Sequence, residues 1–330
     1  MERVKYIDTT KGYLMLLVII GHVLIVLNPN YDTIYFTVPQ AFIYTFHMPA
    51  FFILHGIVFD MNKWRCQSLR IFVVRRLQTL IVPYCFFEVI GIICRKLVFN
   101  QPFRIGFYNL VTLRCNVGAD WFLPAMFLGG LLFWTYVKYP NWIYAMLSTV
   151  VCFLLPMVMG NNQLLVVIGR GILAYAFIMC GHMFKKLFLS EKIRRTVWFI
   201  SSLIVTTLMA VIGLKYGSND FYSCTVQNPL ILWVGGVSGT VMMIGLSRIL
   251  QCRVITDYIG NHTLSIMGTH QLVIYMMTAF IPMLSDCKII YGIVLLLVIM
   301  VFEIPIVWFV DNHLGVFTGR KTKKSNMIGE

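Results

Sequence analysis

The chain has 330 residues, 59% of them hydrophobic and 12% charged, where soluble domains run at about 45–50% and about 25%. With a mean hydropathy of +0.79, it carries more apolar surface than a soluble enzyme, a disordered chain or a disulfide-stapled secreted domain can hide from water. Its net charge of +14 comes in short basic clusters between apolar runs, which is a mark of membrane topology rather than of nucleic-acid binding.

The predicted fold is all-α, a polytopic membrane helix bundle. Apolar runs of about 20 residues, divided at charge clusters and at Asn, Pro or Gly turns, predict ten spans. They fall near 9–27, 40–59, 77–94, 120–137, 141–159, 163–184, 196–214, 229–247, 259–281 and 288–310. Arg3 and Lys5 ahead of the first run resemble a signal peptide, but Asp8 and Lys11 interrupt it and no small-residue cleavage site follows, so a retained helix is expected. With the N-terminus inside, twenty of the 27 basic residues fall on the cytoplasmic side. Arg95, Lys96, Arg104, Arg114, Lys215 and Lys288 fall outside, and Arg170 lies within a span. Both termini are therefore expected in the cytoplasm, with the protein in the plasma (inner) membrane.

All connections are short, so residues 1–317 are expected to form one membrane domain, followed by a polar, Lys-rich tail over 318–330. No repeat relates the two halves, which argues against an inverted-repeat transporter. The nine cysteines are odd in number and lack a C-x-x-C pair, so they signal neither a zinc site nor a disulfide framework, and no metal is expected.

Ionisable groups inside apolar spans are costly and usually face a cavity or a partner. Here they are His22, His47, His55, Glu88, Arg170, His182, His270 and Glu303, and for each the alternative is a hydrogen bond that joins helices. At about 1.5 Å of rise per residue, His22, His47 and Arg170 reach a similar depth in the outer half of the membrane, with Glu88 and His270 near its middle. Two imidazoles and a guanidinium at one level, with a carboxylate nearby, read as a site. His55, His182 and Glu303 lie lower, and an eight-residue spacing puts His47 and His55 on nearly one helix face. His182, beside a basic cluster, fits an interfacial residue better. Arg75 and Arg76, with Arg70, form a cationic patch that serves either as a topology signal with lipid contacts or as a phosphate site.

Several strings resemble the membrane acyltransferase-3 family, in its polysaccharide and sugar O-acetyltransferase branch. Tyr6-Ile-Asp8-Thr-Thr-Lys11-Gly12, running to Gly21-His22, is similar to the family's first-helix motif, in which a basic residue precedes a His by eleven positions. Phe46-His47-Met48-Pro49-Ala-Phe51-Phe52 with Gly56 resembles its second. Arg75-Arg76-Leu to Pro83-Tyr84, Trp121-Phe122-Leu123, Gly169-Arg170, and Ile259-Gly260-Asn261 through Leu264-Ser265 to His270 extend the match over nearly the whole chain. Two positions depart from it: Lys11 stands where many members carry Arg, and His55 where a Ser commonly precedes the Gly. Lys keeps the charge without the bidentate fork.

The resemblance implies transfer of an acetyl group from cytoplasmic acetyl-CoA to a hydroxyl of a glycan or lipid-linked sugar, with His22 as base. Such transfer needs a base, because a neutral alcohol is a weak nucleophile, and donors for the developing oxyanion. Imidazole, with an ordinary pKa of about 6.5, suits the first role. Lys11 lies eleven residues from His22, about 16 Å along a helix and roughly the reach of a pantetheine arm. Lys11, Arg75 and Arg76 are accordingly the expected CoA-phosphate ligands, with Asp8, Glu88, Trp121, Arg170 and His270 as supporting or substrate-binding groups. Asp8 either orients Lys11 or caps the helix, and either His22 or His47 has the chemistry to carry the acyl group itself. The competing classes are a transporter or flippase for an anionic molecule and, less specifically, a scaffold. The expected partners are acetyl-CoA, the sugar acceptor and membrane lipids, with no nucleic acid.

Overall fold

In the computed structural model, residues 5–159, 162–190, 194–217, 219–250, 254–280 and 288–318 are described. Helix dominates them, and no strand occurs among them beyond an isolated bridge between Asp220 and Thr225. In chain order the helices are α1 (Lys5–Leu27), α2 (Ile34–Val58), α3 (Met61–Arg65), α4 (Leu69–Arg76), α5 (Val82–Phe99), α6 (Phe103–Thr112), α7 (Phe122–Lys138) and α8 (Trp142–Leu154). They continue as α9 (Gln163–Met183), α10 (Lys185–Phe188), α11 (Arg195–Tyr216), α12 (Pro229–Ile249), α13 (Val254–Asn261), α14 (Thr263–Phe280) and α15 (Lys288–His313).

Every predicted span coincides with helix. Among the described residues, seven stretches are long and apolar enough to cross a membrane: α1, α2, the run from α4 through α5, α9, α11, α12 and α15; α7 and α8 are shorter apolar helices. The protein is a polytopic helical membrane bundle. The turn residues used to divide the spans serve as caps. Asn141 accepts from the amides of Ile143 and Tyr144, Asn162 from Leu164, and Asn228, just before Pro229, from Ile231. Of the basic residues behind the charge count, Arg3, Lys192, Arg253, Arg320, Lys321, Lys323 and Lys324 lie outside the described residues, as do residues 319–330 of the expected tail.

Three features differ from the sequence reading. The ninth predicted span is two helices, because His262 leaves the helix to pair through Nδ1 with Asp311, and the chain resumes at Thr263. Between α4 and α5 the backbone widens into a π-helical turn, Leu77–Ile81. The loop after α5 contains α6, and it accounts for one basic residue that weakened the charge count. Arg95 donates from Nε to the Asn116 carbonyl (2.6 Å) and from Nη2 to the Tyr275 hydroxyl (3.1 Å), which makes it a tie within the fold.

Contacts divide the chain into two compact units. Unit 1 comprises residues 1–69 and 128–261, and unit 2 comprises 70–127 and 262–330. In unit 1, α2 packs on α1, α9, α11 and α12, while α1 packs on α13. Two crossings are close enough to require glycine. A Cβ on Gly12 of α1 would overlap the Thr256 carbonyl of α13, and one on Gly260 of α13 would overlap the Asp8 carbonyl. Gly56 of α2 and Gly181 of α9 stand in the same relation to the carbonyls of Ile178 and Ile53. Membrane helices gain little from hydrophobic transfer between one another, so close backbone approach through small residues is what their packing relies on. In unit 2, α14 packs on α5 and α15, and α5 on α6.

Candidate active site

The ten residues expected at the site divide equally between the units. Unit 1 carries Asp8, Lys11, His22, His47 and Arg170, and unit 2 carries Arg75, Arg76, Glu88, Trp121 and His270.

In unit 1, α1 runs unbroken from Asp8 past His22, so the eleven residues from Lys11 to His22 do span about 16 Å of helix. Lys11 Nζ lies 3.2 Å from Asp8 Oδ1, one helical turn earlier. Asp8 sits inside α1 rather than ahead of it, so its carboxylate meets Lys11 instead of capping the helix. The start of α1 is further fixed by Thr9 Oγ1 donating to Asp257 (2.5 Å) and Thr10 Oγ1 donating to Ser247 (2.9 Å). His22 is half-buried. Its neighbour Gly21 abuts the ring of Tyr44 on α2, and that ring meets His47, three residues along α2, edge-on at 4.8 Å. The His47 Nδ1–H donates to the Ile43 carbonyl (2.9 Å), and this leaves Nε2 as the basic nitrogen of the neutral ring.

Arg170, only 4% exposed on α9, donates from Nε to the Tyr222 carbonyl (2.6 Å) and lies over the Tyr222 ring at 4.6 Å. The loop that presents Tyr222 is folded on Asp220, whose carboxylate accepts from the amides of Tyr222 and Ser223 and from the Ser223 hydroxyl. Phe221 pins this loop to the bundle by stacking on Phe52 of α2 and tilting against Phe177 of α9. Cys224 in the same loop is buried. Burial pushes its thiol up to about 11, against the pull of Arg170.

The lower histidines are packed among aromatic rings, His55 against Phe59 and His182 between Phe133 and Tyr136.

In unit 2, Arg75 is exposed and Arg76 half-buried over Phe72, at 5.2 Å, immediately before the π-helical turn. Single π turns inside α-helices are frequent at functional sites. Glu88 is fully buried. Its two oxygens accept from the backbone amides of Asn116 (2.7 and 2.9 Å) and Val117 (3.0 Å) and from Asn116 Nδ2 (2.8 Å). The carboxylate thus replaces the backbone partners that a loop buried in a helical protein would otherwise lack. The loop needs this support, since Leu113 and Cys115 hold left-handed conformations at φ 56° and 62°. Gln271 of α14 completes the clamp by accepting from the Ala119 amide at 3.0 Å. Next to it, the buried His270 donates from Nδ1 to the Ile266 carbonyl at 2.7 Å. Trp121, 6% exposed, ends the turn that leads into α7. Glu303 of α15 accepts from Thr269 of α14 at 2.8 Å.

The sequence reading passed over Asp120. It is fully buried, and neither carboxylate oxygen has a hydrogen-bond partner. The criterion that selected Glu88, an acid in an apolar run, selects Asp120 as well; it lay at the edge of a predicted span. Asn116 and Gln271 carried no such signal, because their roles depend on the Glu88 carboxylate 28 residues away and on the Ala119 amide 152 residues away.

The fold is a multi-pass membrane helix bundle in which one continuous helix carries a basic residue and a histidine, the neighbouring helix carries a second histidine, and further polar groups are buried. The family model for an acyltransferase domain, Acyl_transf_3, matches residues 4–311, and the chain belongs to this membrane acyltransferase-3 family. It is an acyl-transferring enzyme of the membrane. No curated protein and no solved structure matches it.

Proposed function

We propose that the protein is a membrane O-acetyltransferase that moves an acetyl group from cytoplasmic acetyl-CoA to a hydroxyl of a cell-surface polysaccharide, a lipid-linked glycan or a related sugar. The observation that carries this reading is α1. One rigid helix holds a carboxylate-steadied cation and, about 16 Å further along, a half-buried imidazole, which matches a phosphate-bearing donor with a long arm to a thioester. Lys11 in unit 1 and the Arg75–Arg76 pair in unit 2 are each suited by charge to CoA phosphates.

In the proposed step, neutral His22 takes the hydroxyl proton as the acceptor oxygen attacks the thioester carbonyl. The tetrahedral intermediate then collapses, the C–S bond breaks, and the imidazolium returns its proton to the departing thiolate. His47, with Nε2 basic, is the second candidate for base or for acyl carrier. The chain lies in the plasma (inner) membrane with both termini in the cytoplasm, as the distribution of basic charge favours.

Purified protein incubated with acetyl-CoA and a panel of glycan and lipid-linked sugar acceptors tests the reading. Acceptor-dependent release of CoA thiol, with O-acetyl recovered on the acceptor, supports it. Binding of an anionic solute without release under any acceptor favours the transporter.

A further inference from the structure

Where α12 stops and α11 starts in unit 1, a shallow, open cleft is lined by Arg195 and Trp198 of α11, by Val241, Ile244 and Arg248 of α12, and by Phe188. The sequence reading assigned Arg195 and Arg248 to the topology signal alone, but their geometry is more specific. Arg248 is 7% exposed, and its two terminal nitrogens are committed: Nη1 donates to the Ser190 carbonyl (2.9 Å), and Nη2 to the Tyr6 hydroxyl (2.9 Å) and the Phe188 carbonyl (3.1 Å). The guanidinium lies over the Tyr6 ring at 4.5 Å, and its Nε–H is buried without a partner among the described residues. Trp198, on the same lining, also has its Nε1–H buried and unpartnered.

Two orphaned donors in one cleft leave free energy unrecovered unless an acceptor occupies it. Arg195 Nη1 reaches the Arg248 carbonyl at 3.3 Å, which keeps a second guanidinium at the mouth. The N-terminus of α11 adds to the same field: this helix of 22 residues begins at Arg195, and Arg194 ahead of it supplies no side-chain cap. No carboxylate lines the cleft among the described residues. Every polar group offered is a donor or a cation, so the missing partner is an anion with several acceptor oxygens. Beside the donors, Val241 and Ile244 share a face of α12 with Arg248, at spacings of seven and four residues, and present an apolar strip next to the cations.

We propose that this cleft binds the phosphate of an anionic membrane lipid, with an acyl chain lying along the Val241–Ile244 strip. A phosphodiester supplies the acceptor oxygens for Trp198 Nε1, Arg248 Nε and Arg195, and the chain covers the apolar side. The proposal does not depend on acetyl transfer.

The test is lipid retention by the purified full chain, measured by native mass spectrometry during titration with phosphatidylglycerol, phosphatidylcholine or inorganic phosphate. Wild type is expected to hold phosphatidylglycerol in preference to phosphatidylcholine. Arg195→Gln with Trp198→Phe removes donors and gives up the single long bond from Arg195 to the Arg248 carbonyl, but leaves the three bonds made by the Arg248 guanidinium in place; it should weaken phosphatidylglycerol binding about tenfold or more while leaving the lipid-free melting temperature near wild type. If the double variant fails to fold, Trp198→Phe alone, which deletes one N–H, should still lower the preference. Equal retention of the two lipids by wild type overturns the proposal, as does undiminished binding by a folded variant. Full displacement of the lipid by millimolar inorganic phosphate would assign the cleft to a free phosphate and overturn the lipid claim.

Discussion

Units 1 and 2 are built on different physical principles. In unit 1, helix crossings are made by glycines that meet backbone carbonyls, Gly12 and Gly260 between α1 and α13, Gly56 and Gly181 between α2 and α9. In unit 2, Gly91, Gly106, Gly118 and Gly268 meet side chains instead. The close approaches in unit 2 are made by polar groups: Glu88 on the 116–117 backbone, Arg95 on Asn116, Gln271 on Ala119, and Asp311 on His262 and Ser265. Unit 1 therefore keeps its helices regular and presents Lys11, His22 and His47 from a fixed frame. Unit 2 tolerates the left-handed Leu113 and Cys115 because the buried Glu88 carboxylate satisfies the amides of the same loop at Asn116 and Val117. The lesson is that a buried ionisable residue reads differently in the two settings, as a candidate for chemistry where the backbone is regular and as a clamp where it is not.

Overpacking a unit 1 crossing is the harshest way to break this comparison. Gly56→Val drives a side chain into the Ile178 carbonyl, where neither helix can yield without parting, and should abolish recovery of monodisperse protein in size-exclusion chromatography. Gly130→Ala is the control, since no atom lies within 4 Å of the added Cβ, and it should behave as wild type. Next in size is Glu88→Ala. It strands the amides of Asn116 and Val117 in a buried loop, and should cost on the order of 3 kcal/mol, read as a lowered melting temperature in detergent.

How far the sequence carried the account follows from the same contrast. The spans were legible because apolar length and Asn caps are local signals, and every predicted span holds helix. The motif glycines were visible as residues, but their reason was not, since it lies in a carbonyl on another helix. The break at His262 was hidden because its cause, Asp311, is 49 residues away. The pairing of Asp8 with Lys11 lay within one helical turn, and the sequence had it as one of two readings. The Glu88 clamp and the unpaired burial of Asp120 needed the fold of the 113–121 loop, which no periodicity describes.

A smaller effect concerns the cations. Replacing Arg75 and Arg76 together by Gln should raise the KM for acetyl-CoA about tenfold, roughly 1.4 kcal/mol, while the KM for the acceptor changes little, and added salt should mimic the change. An unchanged KM would return both arginines to topology alone. The smallest perturbation is a label. In intact cells an impermeant maleimide should spare the exposed Cys66 and mark a cysteine placed at the exposed Tyr31, because the charge distribution puts these two loops on opposite sides. Labelling of Cys66 would reverse the orientation and the side assigned to CoA.

The central claim rests on His22, and His22→Gln tests it most directly, since Gln keeps the approximate volume and hydrogen bonding of the ring but takes no proton. In purified protein whose melting temperature and acetyl-CoA binding match wild type, acceptor-dependent CoA release should fall by about 10²–10⁴-fold, the contribution of a general base. Turnover of the folded variant within a few-fold of wild type would contradict the account and move the base to His47.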